Sequence, residues 1–337
     1  LMSHPRLGFG LWYSLRNPAQ WSRPYPEIYA QTLRQIAWAE TIGYDDVWLT
    51  EHHFCEDGHA PSILPLAAAV AARTTRIRIG TSVLLLPLYH PVRVAEDAAT
   101  IDIISNGRFE LGVGVGYRPQ EFKGLGLRSQ DRGARMDEGL EIIRALWRGE
   151  TVDYAGRHFT VEGAKLAPMP VQSPPPLWIG GFAPASAQRA ARIGDGYLGT
   201  GDMGELVKIY REERARLGKP GPGRLIGGHF WLVVSRDPAR TLAEIGPHVL
   251  YQIEMYNKWL GEAGQALFPP VSSPAQLAEM GILQILGPQQ AVDAIATYAE
   301  ATGIERYYTW TVPPGYPEEK MNDHLQLFAE EVIPKFR

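Results

Sequence analysis

The chain has 337 residues, 45% hydrophobic and 21% charged, with 35 glycines and 27 prolines, a composition that excludes disorder, coiled coil and collagen. Its 33 basic and 37 acidic residues leave a formal charge of -4, so no basic footprint favours nucleic acid or an anionic membrane surface. One cysteine, Cys55, excludes an intrachain disulfide framework and any multi-thiolate metal site, and the expected setting is the reducing cytoplasm.

The longest apolar run, 63–72, is about ten residues, short of the roughly 20 that span a bilayer, so no membrane association is expected. The start, Leu1 to Arg6, passes directly into Leu7-Gly8-Phe9-Gly10 without the apolar core of a signal peptide. At this size folding buries about three quarters of the unfolded surface, which suits one large barrel or two smaller domains.

In chain order, β-type runs fall at 7–12, 46–50, 77–86 and 109–113, then at 177–179, 196–198, 229–234 and 307–311. Helical patterns lie between them at 27–41, 62–72, 92–105, 132–148, 183–193, 204–217 and 288–301, and a last one at 317–332. The 132–148 pattern is clearest: Met136, Leu140, Ile143 and Trp147 recur on one face while Asp137, Glu138, Glu141 and Arg144 take the other. Strands alternating with helices over this length predict a (β/α)8 TIM barrel, one domain over 1–337, better than a doubly wound sheet. Insertions are expected near 151–176, with a hairpin across Ala155-Gly156-Arg157 and a proline-rich run, and near 240–286.

In such a barrel, chemistry sits at the carboxyl ends of the strands. The second strand runs into Glu51-His52-His53-Phe54, and neighbouring side chains there point to opposite sides, so one histidine faces the barrel mouth as a proton carrier, unless both are hydrogen-bonded packing residues. No further His/Cys cluster supports a metal, and nothing identifies a base for a Cys55 nucleophile. Pro87 and Pro91 fix an extended exit from the third strand, and His90 before Pro91 reads as structural.

The fourth strand ends Gly112-Val113-Gly114-Val115-Gly116-Tyr117-Arg118. It lacks the third glycine spacing and the later acidic residue of a dinucleotide loop. Alternate glycines either leave a flat slot for a planar ring or serve a tight bend in a packed barrel. After the fifth strand, Gly180-Gly181-Phe182-Ala183-Pro184-Ala185-Ser186 leads into a helix whose first N–H groups suit an anion, with Gly199-Thr200-Gly201 able to close the same pocket. The alternative is a loop that needs glycine for its turns. With walls from Trp12, Tyr13, Phe54, Tyr117 and Trp310, the mouth is suited to a phosphorylated aromatic cofactor.

Three stretches carry a resemblance: Val47 to Phe54; Ile79-Gly80-Thr81 through Leu86-Pro87-Leu88-Tyr89-His90-Pro91-Val92-Arg93 to Glu96-Asp97; and Asn106-Gly107-Arg108-Phe109 through Gly116. With echoes at Pro176 to Gly181 and Ala191 to Gly196, the sequence resembles the bacterial luciferase-like flavin monooxygenase family. That resemblance implies a homodimeric barrel binding reduced FMN or a deazaflavin coenzyme. It implies His52 as the catalytic histidine and a non-proline cis peptide at Ser82-Val83 under the ring. It also implies a phosphate site on the loop Gly180, Gly181 to Ser186, and a mobile lid at about 251–275 containing Trp259, Phe268 and Pro269-Pro270. Gly114, Gly116 and Tyr117 complete the expected cofactor set.

This chain departs from luciferase with Gly114 and Val115 in place of a cysteine and an arginine, and with Phe182 in place of an acidic residue, so the light-emitting aldehyde reaction is not implied. Arg118 and Arg189 are the candidates for the missing positive charge. The expected activity is oxygenation of an apolar organic substrate by reduced FMN and oxygen, with a separate flavin reductase. The alternatives are hydride transfer from a deazaflavin, with His52 or Glu51 protonating substrate, and a flavin-binding barrel without catalysis.

Overall fold

The computed structural model describes residues 4–337; the sequence reading at 1–3 lies outside them. Eight parallel strands of the described residues close on themselves: β1 (Gly8–Tyr13), β2 (Asp46–Leu49), β3 (Arg78–Thr81), β4 (Phe109–Gly114), β5 (Leu177–Gly180), β6 (Gly196–Leu198), β7 (Arg224–Gly227) and β8 (Arg306–Trp310). β3 bonds directly to β4, and β8 returns to β1 with Gly8 opposite Arg306. The expected (β/α)8 barrel is therefore present, and closure removes the exposed edges an open sheet would carry.

The alternation of side chains along each strand sorts two cores. Phe9, Leu11, Val47, Leu49, Ile79, Leu111, Val113 and Ile179 point outward against the helices. Trp48, Trp178, Leu198, Ile226 and Tyr308 point inward and fill the barrel. On the Arg132–Trp147 helix, Met136, Leu140, Ile143 and Trp147 are all buried, as their spacing required. Helices Pro91–Ile104, Pro184–Ile193 and Pro288–Thr302 begin with proline at a position where no backbone donor is needed.

Three elements differ from the sequence reading. The third strand is not one run over 77–86: it stops at Thr81, the Ser82-Val83 peptide is cis, and only Leu84–Leu85 pairs again, with Val113 and Gly114. The seventh barrel strand is Arg224–Gly227, not 229–234. The run Trp231–Val234 instead forms a separate parallel pair with Leu283–Leu286. β7 ends at Gly227, the close approach of the Tyr308 carbonyl leaves no room for a side chain at Gly228, and the more β-like apolar run lies beyond the barrel wall. The hairpin falls as expected, Thr151–Ala155 against Thr160–Lys165. The second insertion, expected only as an insertion with a lid at about 251–275, opens with a 25-residue helix, Pro238–Glu262.

Candidate active site

At the carboxyl ends of the strands lies a cavity of about 550 Å³, within the range of ligand pockets. His52, Ser82, Val83, Gly114, Gly116, Tyr117, Gly180, Gly181 and Ser186 all line it. The structure thus places these nine residues around one cavity.

The floor is built by the Ser82-Val83 bulge. The Ser82 carbonyl accepts from Trp12 Nε1 at 3.2 Å and Thr50 Oγ1 at 2.9 Å, and its hydroxyl lies 3.1 Å from that of Tyr308. Val83 then occupies the space the glycines leave: a Cβ on Gly114 would sit 2.6 Å from Val83 Cγ2, and one on Gly180 2.7 Å from Val83 Cγ1. The side-chain-free positions of β4 and β5 therefore make room for the bulge, and the bulge presents the surface to the cavity.

One wall is the β5 exit. Gly181 has φ +143°, and a Cβ there would strike Ser186 Oγ, so glycine is needed both for the backbone and for the close approach. Phe182, Ala183 and Ser186, at the start of the Pro184–Ile193 helix, open into the cavity with Gly199 and Thr200; Gly201 does not line it. Neither candidate arginine is among the lining residues. Arg118 donates to the His53 carbonyl at 2.8 Å and lies 4.3 Å from the Trp259 ring, and Arg189 pairs with Asp137 at 2.7 Å. The lining cation is Arg132, at the first turn of its helix. The sequence marked that position only as a helix start.

The opposite wall carries the ionisable groups. His52 Nδ1 lies 2.8 Å from Glu121 Oε1 and its Nε2 3.5 Å from the Tyr117 hydroxyl. The same carboxylate oxygen accepts the His53 main-chain N–H at 2.9 Å. Burial raises the Glu121 pKa, but His52, the His53 N–H and Arg118 outweigh it and hold the carboxyl below its usual range. His53 turns away to Glu51. Burial alone would lower its pKa, and the Glu51 carboxylate raises it instead. Glu51 also accepts from the Leu85 N–H at 2.9 Å and the Tyr89 hydroxyl at 2.8 Å. Its oxygens are committed to holding the 84–89 segment, which leaves His52 as the histidine presented to the cavity. Burial raises the Tyr117 hydroxyl well above the ordinary tyrosine value, so it acts as a neutral donor.

The aromatic walls differ from expectation. Trp12, Tyr117 and Trp310 line the cavity, with Trp12 and Trp310 stacked at 3.8 Å. Tyr13 is buried elsewhere, donating to Gln35 at 2.7 Å, and Phe54 is 60% exposed. Phe230, Tyr256 and Tyr308 take their place. Leu260, Gln265, Leu267 and Phe268 cover the mouth from the insertion, while Trp259 packs beneath it against His52 at 5.1 Å. Glu121, missed in the sequence, stands five residues after Gly116, a spacing that places it on the short Pro119–Gly124 helix beside the mouth. Cys55 is an unsuitable nucleophile because burial pushes its thiol up to about 11. Among the described residues no group of three or more His, Cys, Asp or Glu could hold a metal, and no helix is long and apolar enough to cross a membrane.

Comparison with known proteins agrees with the fold. The chain is 37% identical over 319 residues to an F420-dependent glucose-6-phosphate dehydrogenase of Amycolatopsis mediterranei (strain U-32), covering 89% of this chain and 92% of that one. It is 26% identical over 331 residues, 92% and 90% of the two chains, to the oxygenase component of a flavin-dependent trigonelline monooxygenase of Acinetobacter baylyi (strain ATCC 33305 / BD413 / ADP1). The fold superposes on monooxygenase RslO1 from Streptomyces bottropensis with a TM-score of 0.85 at 24% identity, over 98% of this chain and 100% of that one. The family description "Luciferase-like monooxygenase" matches residues 9–306, and the chain belongs to the luciferase-like monooxygenase family of oxidoreductases.

Proposed function

We propose that this protein is a flavin-dependent monooxygenase that binds reduced FMN, supplied by a separate reductase, and oxidises an uncharged apolar substrate. The observation that carries the reading is the lining of one cavity: a floor at Val83, a glycine-and-helix cradle with Arg132, a single presented imidazole and otherwise largely aromatic and aliphatic walls. The residues fit the cofactor. Gly181 keeps open a cradle that a Cβ would fill, and helix-terminal N–H groups with an arginine suit its phosphate. When bound, reduced flavin supplies the electrons that activate oxygen.

The chain's own residues bind, shield and exchange protons. Ser186, Thr200 and Arg132 would hold the phosphate. Trp12, Trp310 and Phe230 would exclude water and strengthen the polar interactions that remain. His52 would give or take a proton at Nε2.

A second reading, hydride transfer between substrate and a deazaflavin without oxygen, is favoured by the 37% identical F420-dependent relative, a dehydrogenase, in which the ring would accept the hydride. That relative's substrate is a sugar phosphate. Beside Arg132, the charged or titratable residues lining this cavity are Glu51, His52 and the tyrosines Tyr117, Tyr256 and Tyr308. Among the described residues no other lysine or arginine lines the cavity, so with Arg132 assigned to the cofactor the lining favours an uncharged substrate on either reading. Turnover under isotopically labelled oxygen separates the two. Label in the product supports oxygenation, and substrate oxidation with the deazaflavin in the absence of oxygen replaces it with hydride transfer.

A further inference from the structure

We propose that Glu121 is a positioning residue that fixes His52 in one tautomer, and that the Tyr117 hydroxyl is the group that passes the proton between His52 and the reacting atom. The proposal rests on the reading of His52 as the proton carrier. Glu121 is buried, and its carboxylate can only accept hydrogen bonds. Since Oε1 lies 2.8 Å from His52 Nδ1, Nδ1 must carry the hydrogen, and the lone pair of the neutral ring is left on Nε2. The same oxygen is pinned by the His53 N–H at 2.9 Å and Arg118 at 3.4 Å, so it cannot follow the ring if the ring turns. The second oxygen, Oε2, is buried without a partner and keeps negative charge beside the imidazole. Nε2 points to the Tyr117 hydroxyl at 3.5 Å, and Tyr117 lines the cavity.

Near His52 the residues Tyr117, Arg118 and Glu121 come from the β4 exit. Tyr256 and Trp259 lie above on the Pro238–Glu262 helix, and Glu51 and His53 are on its own loop. His59 packs against the ring at 4.9 Å with Arg16 behind it. Both His59 ring nitrogens are buried without partners. Among these groups Glu121 is the carboxylate in contact with the His52 ring. In one direction Tyr117 gives its proton to the reacting atom and takes one from Nε2–H, leaving His52 neutral. In the other, the reacting atom gives a proton to the Tyr117 oxygen and the hydroxyl proton passes to Nε2, leaving imidazolium. Each step moves one proton at each end and requires no other reactant.

The test is nitrogen NMR of the histidine rings in the ligand-free full chain at alkaline pH, with His52 assigned by loss of its signal in His52→Gln. The expected wild-type state is Nδ1–H. Tyr117→Phe should keep that tautomer and move only the Nε2 resonance. Glu121→Ala should populate Nε2–H, and Glu121→Asp should restore Nδ1–H. Glu121→Gln, whose amide can donate to Nδ1, serves if alanine does not fold, and should likewise lower the Nδ1–H population. An Nε2–H wild type, or a tautomer indifferent to every Glu121 change, overturns the proposal. In a second arm, reoxidation of bound reduced FMN by oxygen should change at least about tenfold in Tyr117→Phe and in His52→Ala. An unchanged rate in Tyr117→Phe overturns the Tyr117 step. Failure of reduced FMN to bind overturns the functional reading and leaves the Glu121–His52 pairing to stand on the NMR result.

Discussion

The His52 imidazole owes its place to its neighbours. Glu51 captures His53, Glu121 captures His52, and two adjacent histidines acquire different work. Replacing His52 with alanine is expected to leave cofactor binding largely intact and to cut turnover about 100-fold or more, measured as substrate-dependent oxygen uptake; unchanged turnover would remove it from the chemistry. Gly181→Ala should weaken FMN binding while leaving the fold in place, because the added Cβ meets Ser186 Oγ at φ +143°; equilibrium titration checks this, and an unaltered affinity would exclude the cradle. Cys55 should be alkylated slowly at neutral pH and progressively faster as pH rises toward about 11, since burial disfavours its thiolate. Rapid labelling at neutral pH would contradict that environment. That one histidine of the His52-His53 dipeptide faces the mouth was legible because the dipeptide follows a strand end, and the choice of His52 was carried by family likeness. Glu121 was not legible, because a carboxylate 69 positions away in sequence becomes its partner only once β2 and β4 are packed into one barrel.

Among the elements, the inner barrel layer shows what alternation alone does not reveal. Asp46 on β2, Glu110 on β4 and Arg306 on β8 meet inside the barrel, with Arg306 bidentate to Glu110 at 2.7 and 3.0 Å and 3.7 Å from Asp46. Burial raises Asp46 to about 6, with Glu110 adding to it and Arg306 opposing it. Glu110, though burial disfavours its charge, is pulled down to about 2 by Arg306 and Arg78.

The signs are opposite. The raised Asp46 contributes stability below its unfolded pKa and loses it as pH rises through about 6, whereas the lowered Glu110 contributes above its unfolded pKa and loses it as pH falls through about 2. Asp46→Asn should therefore be neutral or stabilising at pH above about 7. Glu110→Gln, which strips the buried guanidinium of its charged partner, should cost about 3–5 kcal/mol. Denaturant unfolding of both variants across pH checks this, and equal losses at neutral pH would contradict it. The strands and their helices were readable because apolar periodicity is local. The cis break after Thr81 was carried by family likeness, not by local pattern. The seventh strand was misplaced because Arg224–Gly227 offers only two apolar residues, while Trp231–Val234 offers four in a row.

For the whole molecule, the barrel supplies a rigid floor and the Pro238–Glu262 helix with its following loop supplies a cover. Arg16 and Arg118 lie 4.8 and 4.3 Å from the Trp259 ring, and Tyr251 donates to Asp57 at 3.0 Å. A ligand filling the cavity beneath that cover should stabilise the fold by mass action, about 2.7 kcal/mol at a hundredfold excess over its dissociation constant. Fold class was legible from the order of strands and helices along the chain, and the site from the strand ends. The cover over 251–275 was carried by family likeness, and Arg132 was not legible, because its relation to the cavity exists only in three dimensions. The most direct measurement is an anaerobic titration of the protein with reduced FMN, and in parallel with a reduced deazaflavin, read by quenching of tryptophan fluorescence, since Trp12 and Trp310 line the cavity. Saturable binding of reduced FMN at one per chain, lost when Gly180→Trp fills the floor, is expected. Absence of saturable binding by either molecule, or binding indifferent to that substitution, would contradict the assignment of this cavity to a flavin-type ring.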